Sequence, residues 1–159
     1  KTLDGIASDI TQFVLNSPRL EATPLHFTLY DDGTFNEADS TIMNYESEKD
    51  YYNQILNNLI EKIRNEFKGN NPYNLPQSVE SRRFIYTNDS CLSLVHVTYR
   101  DSLLDIHFVA RSSEVSTTFS YDLKFLFDLT QQVFKELNLK SGKDIARMRF
   151  NLNSAHILL

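Results

Sequence analysis

The chain has 159 residues, 41% of them hydrophobic, 12% aromatic and 23% charged, a composition that excludes a disordered chain and suffices for one domain with one sizeable core. A formal net charge of −5 argues against a general nucleic-acid or membrane-surface binder, which needs dense Lys and Arg, though a few local arginines could still hold an anion. A single Cys excludes an internal disulfide framework and a multi-thiolate zinc site, and points to a reducing, cytoplasmic setting. No run of about 18 apolar residues is present, so no spanning helix is expected. The segment Lys1–Leu15 carries Asp4 and Asp9 within its apolar pattern and does not read as a signal peptide. The absence of a first Met and the apolar Leu158-Leu159 ending are consistent with a chain trimmed at both ends.

In chain order, Leu3 to Asn16 reads as a helix, with Ile6, Ile10, Phe13 and Val14 at helical spacing and Pro18 ending it. Leu25 to Tyr30 alternates as a strand does and runs into a turn at Asp31-Asp32-Gly33. Asn36 to Glu48 is polar and reads as loop. Asp50 to Phe67 forms the clearest amphipathic helix, through Tyr52, Leu56, Leu59, Ile60, Ile63 and Phe67. Gly69 and Pro72 mark a loop. Ser81 to Thr87 and Cys91 to Tyr99 read as strands, Arg100-Asp101-Ser102 as a turn, and Leu103 to Ala110 as the returning strand of a hairpin. Phe119 to Leu137 is apolar on more than one side and is expected to be deeply buried, closing at Lys140-Ser141-Gly142. Short strands follow at Ile145–Phe150 and Ala155–Leu158. No repeat or linker interrupts the pattern, which predicts a single α+β domain over 1–159, with helices packed on a mostly antiparallel or mixed sheet.

The hairpin begins at the only Cys and ends in Ala110-Arg111-Ser112-Ser113-Glu114. This arrangement resembles the thymidylate synthase and pyrimidine-nucleotide hydroxymethylase family, which has a catalytic Cys at the head of a strand, a hairpin, and then an Arg-Ser-x-Asp motif. Phe119-Ser120-Tyr121-Asp122 falls where that family has Pro-Phe-Asn, and Asn153-Ser154-Ala155-His156-Ile157 resembles its Gly-Asp-Ala-His-Ile segment. Upstream, Glu80-Ser81-Arg82-Arg83 resembles its paired arginines, and the helix around Asp9 resembles the one that carries its catalytic Glu. The resemblance is specific in spacing from Cys91 to Glu114 and covers nearly the whole chain. It implies a compact thymidylate synthase-like fold, with a mixed sheet, a long buried helix and flanking helices.

The resemblance also implies roles. Cys91 would be the nucleophile, adding to C6 of a pyrimidine so that C5 can attack a one-carbon unit, with Arg111 lowering the thiol pKa. A buried inert thiol is the plain alternative. Arg111, Arg82 and Arg83 would bind the nucleotide phosphate as bidentate forks, with Ser112 adding a hydroxyl donor. In the family the paired arginines reach across from a neighbouring subunit, which implies a homodimer; a solvated strand end is the alternative for an adjacent Arg pair. Asp122 stands where thymidylate synthases have Asn. A carboxylate cannot donate to O4 of uracil, but it accepts from the 4-amino group of cytosine and from a protonated N3. The family's cytosine-specific members carry Asp here. Alternatively, Asp122 or Ser120 caps the helix that follows.

Asp9 would replace the catalytic Glu with a side chain one methylene shorter, or it is an ordinary polar-face residue. His156 matches a sugar-binding His, with Leu158 where the family has Tyr. Glu114 replaces the Asp that faces the folate pterin ring. His96 and His107 read as structural, and no metal site is expected. The expected function is one-carbon transfer from 5,10-methylenetetrahydrofolate to C5 of a pyrimidine nucleotide monophosphate, with Asp122 favouring cytosine and hydroxymethylation. The alternative is a catalytically degenerate protein of the same fold, acting as a structural or interaction subunit or as a non-catalytic nucleotide binder. The replacement of the family's Glu by Asp9, of its helical Trp by Gln12 and of its Tyr by Leu158, and an Arg83–Cys91 segment shorter than the family's, favour that alternative.

Overall fold

The computed structural model describes residues 3–31, 49–68, 84–116, 118–140 and 142–158. Helix α1 spans Leu3–Leu15, and Leu3, Ile6 and Val14 are buried at helical spacing. It stops as expected before Pro18, which opens a single 3-10 turn; the Ser17 hydroxyl donates back to Phe13 O at 2.9 Å. Phe13 lies at the edge of the apolar stripe and is 54% exposed rather than part of the core. Helix α2 spans Lys49–Lys68 and buries Tyr52, Ile55, Leu59, Ile60 and Ile63. Helix α3 spans Phe119–Glu136 and is buried on several sides, through Phe119, Leu123, Phe125, Leu126, Phe127, Leu129, Thr130, Val133 and Phe134.

The strands are β1 (Glu21–Ala22), β2 (Leu25–Asp31), β3 (Phe84–Thr87), β4 (Leu92–Arg100), β5 (Leu103–Ala110), β6 (Ser113–Glu114), β7 (Ile145–Leu152) and β8 (Ala155–His156). The main sheet has the order β2-β7-β5-β4-β3, and β1, β8 and β6 form a small second sheet. The two-residue strands β1 and β6 are too short to leave a periodic signal in sequence. The expected strand Ala155–Leu158 pairs only at Ala155 and His156. The turns and loops expected at Asp32-Gly33, Asn36–Glu48, Gly69 and Pro72 and the start of the strand expected at Ser81 lie outside the described residues.

All neighbours in the main sheet are antiparallel except β5 and β7, which run parallel. Parallel strands require a crossover rather than a hairpin, and α3 lies within the connection from β5 to β7. This explains its burial: one side meets the sheet and the others meet helices. Phe119 sits edge-on to Phe27 and Phe150 of the sheet at 5.8 and 5.9 Å between ring centres, and Phe125 stacks on Tyr52 of α2 at 5.2 Å. The helix closes at its C-cap Leu137, as expected, and Asn138 follows it; Ser141 of the expected closing turn lies outside the described residues. Asn138 takes a left-handed φ of 53°. Leu139 N–H donates to Phe134 O (2.8 Å) and Asn138 N–H to Lys135 O (3.2 Å), the paired bonds of a Schellman motif.

The inner face of the sheet carries Val95, Val97, Leu104, Ile106, Phe108, Met148 and Phe150. Alternation sends His96, Asp105, His107, Arg147 and Arg149 to the other face. There Asp105 accepts from Arg147 Nε at 2.8 Å and from Arg149 Nε and Nη2 at 2.9 and 2.7 Å. Burial works against ionisation of Asp105, but these two guanidinium groups outweigh it and hold the carboxyl below its ordinary value. His96 and His107 pair across β4 and β5; burial and the Arg149 cation push His107 below the ordinary histidine value.

Candidate active site

The sheet pairing itself gathers the site. Leu25, Leu152, Ala110 and Leu92 form one row across β2, β7, β5 and β4. One step beyond that row the chain continues as Cys91 before β4, Arg111 after β5 and Asn153 after β7. Crevices outside the carboxyl ends of parallel strands are recurrent ligand sites, because the chain must leave the sheet there and opens a cleft. The segments that leave here form β6 and β8, which pair in parallel through Ser113–Ala155 and Glu114–His156. The connection then turns into α3, whose first turn faces the same end.

A cavity of about 250 Å³ lies at this end, lined by residues that include Cys91, Ser112, Glu114, Asp122, His156 and Tyr52. This is slightly below the roughly 300–1,000 Å³ spanned by small-molecule pockets. Cys91, Ser112, Glu114, Asp122 and His156 were all singled out from sequence. Of the others, Asp9 is exposed on α1 and does not line this cavity. Arg111 is exposed beside the mouth, its backbone N–H donating to Cys91 O at 2.7 Å. Among the described residues no carboxylate pairs with the Arg111 guanidinium. Arg82 and Arg83 lie outside the described residues.

Cys91 is exposed and receives a hydrogen bond from the Ser112 hydroxyl, with Oγ 3.7 Å from the sulfur. It leads into a bulge: the β4–β5 ladder shifts between Leu92 and Leu94, leaving Ser93 unmatched. Bulges re-aim side chains and are common beside active sites. The preceding turn is held by Asn88 Oδ1, which accepts from Ser90 N–H at 2.9 Å, and by Tyr51, whose hydroxyl lies 2.8 Å from Ser90 Oγ. Burial, only partly offset by that Ser90 contact, keeps the Tyr51 phenol above its ordinary value and therefore neutral.

Asp122 does not cap α3. The N-cap is Thr118, whose hydroxyl instead donates to Glu114 O at 3.1 Å. Asp122 stands a full turn later, and its Oδ1 accepts from the Tyr52 hydroxyl at 2.5 Å. Burial pushes the Asp122 carboxyl up to about 7, against the opposing effect of the Tyr52 hydrogen bond. At neutral pH it is therefore poised between donor and acceptor. Glu114 Oε1 accepts from Ser116 Oγ (2.5 Å) and from Leu158 N–H (3.2 Å), so it draws the chain beyond β8 against the cavity wall. His156 Nδ1 lies 3.4 Å from Ser154 Oγ. Thr11 ties α1 to the same wall, its hydroxyl lying 2.9 Å from Val115 O.

Sequence reasoning missed Tyr51 and Tyr52 as site residues. Tyr52 read only as an apolar position of α2, and its hydroxyl contact spans 70 residues. The available signal was the adjacent pair of tyrosines at the head of a helix, each carrying a polar tip that burial obliges to find a partner.

No protein-family model matches the sequence, and no curated protein matches it. Among solved structures, thymidylate synthase from T4 phage is similar at a TM-score of 0.55 and 15% identity, over 99% of this chain and 76% of that one. The thermostable thymidylate synthase A from Bacillus subtilis is similar at a TM-score of 0.54 and 12% identity, over 99% and 80%. The chain has the thymidylate synthase fold, as expected from sequence.

Proposed function

We propose that the protein is a pyrimidine-nucleotide C5 one-carbon transferase acting on cytosine nucleotides as a hydroxymethylase. The observation that carries this reading is the convergence of Cys91, Ser112, Glu114, Asp122 and His156, drawn from four separate segments, on one cavity. In this reading Cys91 adds as thiolate to C6, forming the C6–S bond and moving the C5–C6 π pair to C5, which becomes the nucleophile. Asp122 reads the N3 and 4-amino edge of the base, His156 faces the sugar, and Arg111 at the mouth takes the phosphate. Arg82 and Arg83 of a second copy would complete the phosphate site in a homodimer. Methylenetetrahydrofolate fits the residues in kind, because Glu114 is an acceptor matched to the N–H donors of a pterin. When bound, it would supply the one-carbon unit at the methylene oxidation level. Once C5 carries that carbon, loss of the C5 proton and cleavage of the carbon–nitrogen bond to the carrier would release tetrahydrofolate and leave an exocyclic methylene; water adds there, its oxygen to the methylene carbon and the π pair to C5. Departure of the Cys91 sulfur then restores the C5–C6 double bond.

The test is release of tritium from C5 of dCMP or CMP in the presence of folate. Release is expected from the native chain and not from Cys91→Ala. Asp122→Asn is expected to move preference from cytosine toward uracil, and an unchanged preference would overturn the role assigned to Asp122. A second reading, nucleotide binding without turnover, is favoured by the exposure of Asp9 outside the cavity. It predicts a nucleotide-dependent rise in melting temperature with no tritium release.

A further inference from the structure

Among the described residues, the side-chain hydrogen bond that reaches the Asp122 carboxyl comes from α2, a helix to which the sequence assigns no role in the site. The Tyr52 ring is held between Tyr51, edge-on at 5.2 Å, and Phe125, stacked at 5.2 Å. The residue is 5% exposed. The hydroxyl is therefore delivered from a rigid, packed platform rather than from a mobile side chain. It donates to Oδ1 of a carboxyl that lines the cavity.

We propose that Tyr52 is a positioning residue for base recognition: its hydroxyl holds Asp122 in one orientation by taking one lone pair of Oδ1, and leaves the remaining edge of the carboxyl to read the pyrimidine. The inference rests on the cytosine-nucleotide reading above and extends it to a residue outside the resemblance. Neutral cytosine offers an acceptor at N3 beside a donor at the 4-amino group. Matching both requires one proton between Asp122 and N3, whichever of them carries it. A carboxyl poised near neutrality shares that proton at little cost, whereas one at the ordinary aspartate value would have to take it up from solvent. Tyr52 adjusts the balance, because a hydrogen bond to the carboxylate favours the ionised form. Among the described residues, the other ionisable groups around the same cavity are Tyr51 from α2, Cys91 at the head of β4, Glu114 from β6 and His156 from β8, with Arg111 exposed beside its mouth.

The experiment is Tyr52→Phe, which keeps the packed ring and removes only the hydroxyl. Loss of a hydrogen bond to a charged group corresponds to a roughly 10- to 100-fold change. The cytosine-over-uracil ratio of binding constants, measured with dCMP and dUMP, is expected to fall by about that factor. The pH midpoint of the Asp122 carboxyl, followed by carbon NMR in the free protein, is expected to move upward. In an Asp122→Ala background, which offers the hydroxyl no acceptor, the same Tyr52 change should leave the base ratio unaltered. An equal effect in both backgrounds would reduce Tyr52 to a packing residue and overturn the proposal. So would an unchanged ratio and midpoint in a Tyr52→Phe protein that folds, while native dCMP binding would leave the nucleotide reading standing. If the native chain binds neither nucleotide, the base-reading role falls with the function, and the carboxyl titration still reports whether the Tyr52–Asp122 pair exists.

Discussion

Replacing Asp122 by Asn tests the electrostatics of the cavity without any ligand. Burial moves this carboxyl from 3.8 to about 7, and each pH unit of displacement corresponds to about 1.36 kcal/mol. Complete ionisation of Asp122 therefore costs the folded state about 4 kcal/mol relative to the unfolded chain. The side chain is partly open to the cavity, and water there screens the charge, which brings the expectation to about 2–4 kcal/mol. The sign follows from proton binding. The folded chain holds the proton more tightly, so Asp122 imposes no penalty below about pH 4, and stability is lost as the pH rises through about 7. Asn keeps an acceptor for the Tyr52 hydroxyl and does not ionise. Urea denaturation followed by circular dichroism should show the stability of Asp122→Asn, relative to native, rising by about 2–4 kcal/mol between about pH 4 and pH 8. Profiles that run parallel to within about 0.5 kcal/mol would mean that Asp122 ionises as freely in the fold as outside it, and the reasoning would be refuted.

Other substitutions separate chemistry from stability. Cys91→Ser alters an exposed side chain, so its unfolding free energy should stay within about 0.5 kcal/mol of native while C5 tritium release is lost. Asp105→Ala strands two arginines on the outer sheet face and should cost about 3 kcal/mol by denaturation at neutral pH. Because the folded Asp105 value is lowered, that contribution is present above about pH 4 and should fade as the pH drops through the folded value. Asn138 holds a left-handed φ at the end of α3. Asn138→Gly should match or raise stability and Asn138→Val should lower it by about 1 kcal/mol, readable as opposite shifts in Tm. Phe108→Ala removes a fully buried ring from the sheet and should cost about 3–5 kcal/mol.

Much of the architecture was legible before any coordinates. The stripe Tyr52, Leu59, Ile60, Ile63 and the all-round apolarity of Phe119 to Leu137 are local spacings, and a helix that buries one face or several must show them. The hairpin from Cys91 to Ala110 was legible because alternation and a two-residue turn are also local. Phe13 keeps the helical spacing yet is exposed, because spacing alone does not say where a packing partner stops. The end of α3 at Leu137 was legible; its left-handed cap at Asn138 was not, because Asn, unlike Gly, does not announce one.

From the sequence alone come the helices, the hairpin, the α+β class and the short list of residues around Cys91, each resting on patterns a few residues long. Only the tertiary structure decides that β5 and β7 run parallel side by side, and that pairing brings Cys91, Glu114 and His156 to one end of the sheet. It alone sets Tyr52 against Asp122, 70 residues away, and leaves Asp9 outside the cavity. The physical reason is the same in each case. Periodicity records which face of an element avoids water, whereas contacts between distant segments depend on how those faces stack, and no local spacing encodes that.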